Sequence, residues 1–220
     1  EGNFDEDEIV EIISNGFDFH RENIIEIPRA DFIKKVDEIK VIKEEMDITQ
    51  GKLVMGYRCN VDYKDEFKYY SLFVGSNVLG GGPHSKLFVN VREKESLCYY
   101  IYSSLEKYKT SMFISSGIES ENYDKTVELI GEQLKSLKEG KISDEELLNS
   151  KSAIISSLKT IKDSLGGSSD FYFSQSMGGT NTTVEKIIEM IEKVTVSDIV
   201  EAFKNIELDT IYFLSNNKEA

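Results

Sequence analysis

Gly80-Gly81-Gly82-Pro83-His84-Ser85-Lys86-Leu87-Phe88-Val89-Asn90-Val91-Arg92-Glu93-Lys94-Glu95-Ser96-Leu97-Cys98-Tyr99 is the stretch on which the reading of this chain turns. Three consecutive glycines can take positive φ and let the backbone reverse sharply, and Pro83 presets φ for the first turn of a new helix. Leu87, Val91 and Phe88 recur at helical spacing and are expected to face a core, with Lys86, Glu93 and Lys94 facing water. A tyrosine-rich run follows at once, so the stretch joins a glycine turn, a short amphipathic helix and a strand. A phosphate cradle is a poor fit, because no Gly-Lys-Ser/Thr follows the glycines and no Gly-x-Gly-x-x-Gly spacing exists.

Outward from that stretch the periodicities alternate in type. Leu53 to Val61 reads as a mostly buried strand, and Asp65 to Val78 carries helical spacing in Phe67, Tyr70, Leu72, Phe73 and Val74. Leu97 to Leu105 and Ser111 to Ile118 read as two strands joined by the polar turn Glu106-Lys107-Tyr108-Lys109. Glu121 to Lys138 repeats Val127, Ile130, Leu134 and Leu137 on one face, and Gly140 ends it. Ser143-Asp144-Glu145-Glu146 is a capping box that opens a helix to about Asp163. Gly166-Gly167 reads as a break before a helix over about 169–177. Thr182 with Glu185 and Thr195 with Asp198 are two further capping-box candidates, and Thr210 to Leu214 closes the chain as a strand.

Upstream the pattern differs. Asp5-Glu6-Asp7-Glu8 before Ile9, Val10, Ile12 and Ile13 is an acidic, Asp-capped helix start that ends near Gly16. One short helix cannot bury such a face by itself, so residues 1–25 are expected to be the tail of a preceding domain. Residues 26–46, with Pro28 and charges among β-branched side chains, read as an extended linker with short strand-like pieces, which puts the start of the domain proper at Asp47 and its span at 47–220. The element order implies an α+β fold, a two-layer sandwich with a mainly antiparallel sheet and helices on one face.

The Gly-Gly turn, the Ser85-Lys86-Leu87-Phe88 helix and Arg92-Glu93-Lys94-x-x-Leu97-x-Tyr99 resemble the signature of the insulinase-like (pitrilysin-type) zinc metallopeptidases, which include the mitochondrial processing peptidase. The resemblance covers roughly 47–216 in layout and about twenty residues in motif, and it falls in the half that this family uses without zinc. It also implies a missing amino-terminal half, because in that family a Gly-x-Phe-Asp-x-x-x-Ile segment closes the preceding domain just after its last strand. Cys98 stands where the family often has a small residue.

The resemblance implies an active site shared between two halves. In the family, the zinc-free half faces the zinc-bearing half, and an Arg and a Tyr spaced like Arg92 and Tyr99 reach the substrate carbonyl and backbone. A guanidinium and a phenol suit that task, since both donate hydrogen bonds to the oxyanion that develops as a peptide is attacked. Gly81 and Gly82 are expected beside the substrate. Spacing by itself leaves a plainer alternative open, with Arg92 a surface residue paired to an acid and Tyr99 buried beside Tyr100 and Tyr102. The family also binds extended peptides along an exposed sheet edge, although the sequence does not say which strand is that edge.

Zinc in this superfamily is held by an inverted His-x-x-Glu-His on a helix. The chain has two histidines, His20 and His84, far apart and each without a histidine nearby, so no metal site is expected here and the zinc is assigned to the missing half or a partner. His20-Arg21-Glu22 lacks the Pro-Cys-x-x-Cys that a zinc deaminase would need, and His84 reads as a capping or surface residue. No Gly-x-Ser-x-Gly elbow is present, and nothing in the sequence brings Cys59 or Cys98 to a histidine. The chain alone is expected to be inactive, with a non-catalytic scaffold or peptide-binding homologue as the alternative.

Composition bounds the partners. Forty acidic against 26 basic residues give a net charge of −14, which repels nucleic acid and anionic membranes and attracts cationic peptides. No apolar run is long enough to span a bilayer. The two cysteines lie far apart in apolar strands, as free thiols do in a reducing compartment, and the expected location is the bacterial cytoplasm. The expected partners are a peptide substrate and an amino-terminal half or subunit of the same fold, a homodimer included.

Overall fold

The computed structural model describes residues 3–17 and 34–216. His20, Pro28 and the rest of 18–33 lie outside the described residues. The chain divides into two compact units, 1–30 and 31–220. The first holds one described helix, α1 (Glu6–Gly16), capped by Asp5, whose carboxylate accepts from the Glu8 N–H at 3.1 Å. That start matches the acidic cap read from the sequence, and Val10, Ile12 and Ile13 are exposed on it.

The second unit is built on a five-stranded sheet, β1 (Lys40–Met46), β2 (Gly51–Arg58), β3 (Cys98–Glu106), β4 (Ser111–Ile118) and β5 (Glu207–Asn216), in the order β1-β5-β2-β4-β3. Only β1 and β5 run parallel; the other neighbours are antiparallel. Alternation along the strands separates two faces. Leu53, Met55, Tyr57, Met112, Ile114, Ile211 and Phe213 are buried under the helices, while Lys52, Phe113, Tyr100 and Tyr102 stand exposed on the other side. Thus the sheet is mainly antiparallel with one covered face, as the element order implied.

Helix α2 (Glu66–Gly80) runs through the middle of the core, with Leu72, Val74, Val78 and Leu79 buried. Two glycines let it approach its neighbours. A Cβ on Gly75 would lie 2.4 Å from the Phe203 ring of α7 (Val196–Phe203), and one on Gly80 would lie 2.5 Å from the Ser103 backbone nitrogen of β3. Helices α3 (Tyr123–Lys138), α4 (Asp144–Ile161), α5 (Leu165–Gly178) and α6 (Val184–Lys193) complete the layer. Both the Ser143–Glu146 and the Thr195–Asp198 capping boxes form.

Several expectations need correction. Of the segment read as linker, residues 34–46 are part of the sheet domain: β1 pairs with β5, the Lys34 N–H donates to Asn60 Oδ1, and the Val36 N–H donates to Glu207 Oε2. As an edge strand with every residue exposed, β1 has no burial alternation to betray it. Gly166 and Gly167 do not break a helix; they lie in the first turn of α5, where Ser164 Oγ caps the Gly167 N–H. The cap of α6 is Thr183 rather than Thr182, whose hydroxyl donates instead to Glu66. Pro83 belongs to the turn before the next helix, and Ser85 makes the cap contacts there.

Candidate functional site

The stretch 80–99 is a folded bridge between α2 and β3. Gly81 ends α2, its N–H donating to Asn77 O at 2.7 Å, and a Cβ there would collide with the Asn77 side chain. The Gly82 carbonyl accepts from both the N–H and the hydroxyl of Ser85. His84 Nε2 and Asn77 Oδ1 lie 3.2 Å apart. The two glycines therefore serve the turn itself, and Gly81 also lines a small cleft against Ile154 and Ser157 of α4.

Leu87 and Val91 are fully buried, as their spacing required. Lys86 contradicts the expectation that it faces water: it is 7 % exposed, and its ammonium donates to both oxygens of Glu146 at 2.9 and 3.1 Å. The same Glu146 accepts from the Ser143 N–H in the capping box of α4, so one carboxylate caps a helix and neutralises a buried cation. Asn90 Nδ2 donates to Gln133 Oε1 of α3 at 2.7 Å, and Glu95 pairs with Lys125.

Phe88–Glu93 is a π-helical turn, shown by the Lys94 N–H reaching back to Val89 O. Such widened turns are rare and concentrate at functional sites. Here the turn carries Arg92, whose guanidinium carbon lies 4.5 Å from the centre of the Phe88 ring. Arg92 Nε donates to the Tyr99 carbonyl at 2.8 Å. Among the described residues its terminal nitrogens have no hydrogen-bond acceptor.

Tyr99 sits where the β3–β4 register slips: Cys98 faces Ile118 and Tyr100 faces Gly117, leaving Tyr99 as the extra residue of a bulge. A bulge re-aims a side chain and interrupts the ladder. Tyr99 is 65 % exposed, so it is not buried beside Tyr100 and Tyr102, which stack on each other on the open face with ring centroids 6.0 Å apart. Its hydroxyl makes one long contact, 3.4 Å, with Glu119 Oε1 just beyond β4. Nothing in the sequence pointed to Glu119; only the strand pairing brings it there. Burial pushes the neighbouring Cys98 thiol up, with Ser116 and the Arg92 charge acting against it.

The structure thus brings Arg92 and Tyr99 together at the start of β3, an edge strand of the sheet. It does not join Gly81 or Gly82 to them by any hydrogen bond among the described residues. The described residues do not fit a zinc ion either: His84 is engaged with Asn77, the buried Cys59 thiol is pushed up to about 12 by desolvation, and no group of three or more His, Cys, Asp or Glu side chains forms a cluster.

Residues 34–216 form an α+β sandwich with helices on one face of a mainly antiparallel sheet, and Arg92 and Tyr99 lie side by side at a sheet edge. Residues 2–154 match the family model described as the peptidase M16 inactive domain, and the chain belongs to that family. It is 39% identical, over 90% of its length, to the "Probable inactive metalloprotease YmfF" of Bacillus subtilis, of which it spans 45%. It is 29% identical to the "Uncharacterized zinc protease YmxG" of the same organism, with 72% of this chain and 39% of that protein aligned. Among solved structures, a conserved protein from Enterococcus faecalis superposes with a TM-score of 0.79 at 32% identity, covering 85% of this chain and 44% of that one. A protease from Helicobacter pylori gives 0.81 at 19% identity, with 97% and 53% covered, which speaks to the fold alone. The chain therefore spans less than half the length of these two curated relatives. No helix among the described residues is long and apolar enough to cross a membrane.

Proposed function

We propose that this chain is the zinc-free half of a two-part metallopeptidase and that Arg92 and Tyr99 act on the peptide within a composite site. The zinc ligands, in this reading, belong to an amino-terminal half or to a partner subunit of the same fold, and the metal there supplies the Lewis acid and activated water. The observation that carries the proposal is the bulge: Tyr99 is the one residue lifted out of the β3 ladder, its carbonyl is fixed by Arg92, and its phenol stays exposed.

The chemistry follows from the donors. When the scissile carbonyl is attacked, its oxygen gains negative charge, and the phenolic O–H and the free guanidinium N–H groups can donate to it or to the adjoining peptide backbone. Losing one such donor costs about 3–4 kcal/mol in well-placed sites. The unpaired side of β3 adds a template, since an extended peptide could align there by backbone hydrogen bonds. The net charge of −14 favours cationic peptides in the approach.

The test uses the complete assembly, this chain together with its zinc-bearing half. Arg92→Ala should lower kcat/KM by roughly tenfold to a thousandfold at unchanged zinc content. Unchanged turnover would remove the composite-site reading. A second reading, a fold kept for scaffolding without catalysis, draws support from the relative described as a probable inactive metalloprotease. It predicts an upstream half without an inverted His-x-x-Glu-His and an assembly that binds peptides but leaves them intact.

A further inference from the structure

Apart from the Arg92–Tyr99 pair and sharing no residue with it, a cleft of about 400 Å³ opens between α2, the β3–β4 turn, α4 and α5. Its walls are aromatic and aliphatic: Tyr69, Tyr70 and Phe73 from α2, Leu158 and Ile161 from α4, and Phe171 from α5. Side-chain clamps hold those walls. The Tyr108 hydroxyl donates to Ser174 O and the Tyr63 hydroxyl to Gly178 O, both on α5.

One cation lines this cleft. Lys107, in the turn between β3 and β4, is half-buried, and its ammonium lies 5.9, 5.8 and 5.8 Å from the ring centres of Tyr63, Tyr69 and Tyr108. Neither a hydrogen-bond acceptor nor an ion-pair partner meets it among the described residues. The nearby Glu66 opposes the effect of burial on Lys107 only in part, its carboxylate taking the Thr182 hydroxyl, and burial leaves the lysine pKa below its ordinary value. The tyrosines cannot serve as counter-ions, because burial keeps the Tyr69 and Tyr70 phenols protonated. Asp170, the acidic side chain on the cleft wall, is exposed.

A half-buried ammonium with no ion-pair partner among the described residues, set in a largely apolar cleft of small-ligand size, specifies what would complete it. We propose that this cleft binds a small amphipathic carboxylate, its carboxylate on the Lys107 ammonium and its aliphatic or aryl body against Tyr69, Tyr70, Phe73 and Phe171. The ring quadrupoles around Lys107 stabilise the cation without neutralising it, so the charge remains available to a ligand. A charge-assisted hydrogen bond made there, on an ammonium partly withdrawn from water, is stronger than one at a fully exposed lysine.

The experiment is a calorimetric or NMR titration of the chain with octanoate, alongside 1-octanol and octylamine as probes of equal body and different head. Octanoate should bind at least roughly tenfold tighter than either. Lys107→Met should reduce octanoate affinity to that of octanol, and Lys107→Arg should keep it within about threefold, with an unchanged thermal transition showing that both variants fold. Octanoate binding no tighter than octanol, undetectable binding at millimolar octanoate, or full affinity in Lys107→Met would each overturn the proposal.

Discussion

Within the 80–99 stretch, Lys86 is 7 % exposed and gripped by both oxygens of Glu146, whereas Tyr99 is 65 % exposed with one long contact from its hydroxyl. Between them, Leu87 and Val91 are wholly buried and the π-helical turn swings Arg92 onto the Tyr99 carbonyl. One short segment thus contains an anchor and a presented pair. The anchored lysine is held by a carboxylate inside the domain; among the described residues the terminal Arg92 nitrogens meet no acceptor, and the Tyr99 hydroxyl has only its long contact to Glu119. Such a division is what a rigid support for a substrate-facing group requires.

Breaking the anchor should produce the largest effect on stability, and unequally at its two ends. The lysine side chain is 8% exposed and the glutamate 24%, so removing Glu146 strands the more buried charge and also deletes a capping contact. Glu146→Leu is expected to cost about 3–5 kcal/mol and to lower Tm by roughly 10 °C. Lys86→Met, which leaves a carboxylate able to turn to water and still cap α4, should cost only about 1–2 kcal/mol. Equal losses from the two variants in thermal unfolding would mean that the pair is not the buried clamp described here.

The presented pair should tolerate change far better. Arg92→Ala forfeits one hydrogen bond and the Phe88 contact, about 1 kcal/mol in denaturant unfolding, and Tyr99→Ala should stay within about 0.5 kcal/mol. A loss of several kcal/mol from either would mark them as structural and erase the contrast with Lys86.

The two thiols sharpen the same comparison without altering the fold. Cys98, beside the presented pair, is half-buried, whereas Cys59 is fully buried and its thiol is pushed up to about 12. The thiolate is the reactive form, so at pH 8 an alkylating reagent should modify Cys98 and spare Cys59. Mass spectrometry would read the order, and equal rates would show that the core opens. As pH rises, the unfolded chain releases the Cys59 proton first, near its ordinary value of about 8.5. Stability should therefore fall from there toward pH 12, and Cys59→Ala should soften that decline.

Much of this was legible in the sequence wherever the signal was local. Caps such as Asp5, Ser143 and Thr195, the burial of Leu87 and Val91, and the two strands around the 106–109 turn all follow from spacing and residue type. What escaped needed a partner distant in sequence. Lys86 reads as solvated on a helical wheel because its counter-ion lies on another helix, already engaged as a cap. The bulge at Tyr99 has no glycine or other marker, and it exists because of how β3 registers on β4. The strand β1 escaped because every one of its residues is exposed, which leaves no buried alternation to read, and its partner β5 lies at the far end of the sequence.

The central claim is that the Tyr99 phenol is a donor to substrate and not a packing element, and Tyr99→Phe tests it most directly because it removes one oxygen. In the assembly with the zinc-bearing half, the account predicts kcat reduced by roughly tenfold to a thousandfold, with Tm and zinc content unchanged. A kcat equal to that of the parent enzyme would contradict it.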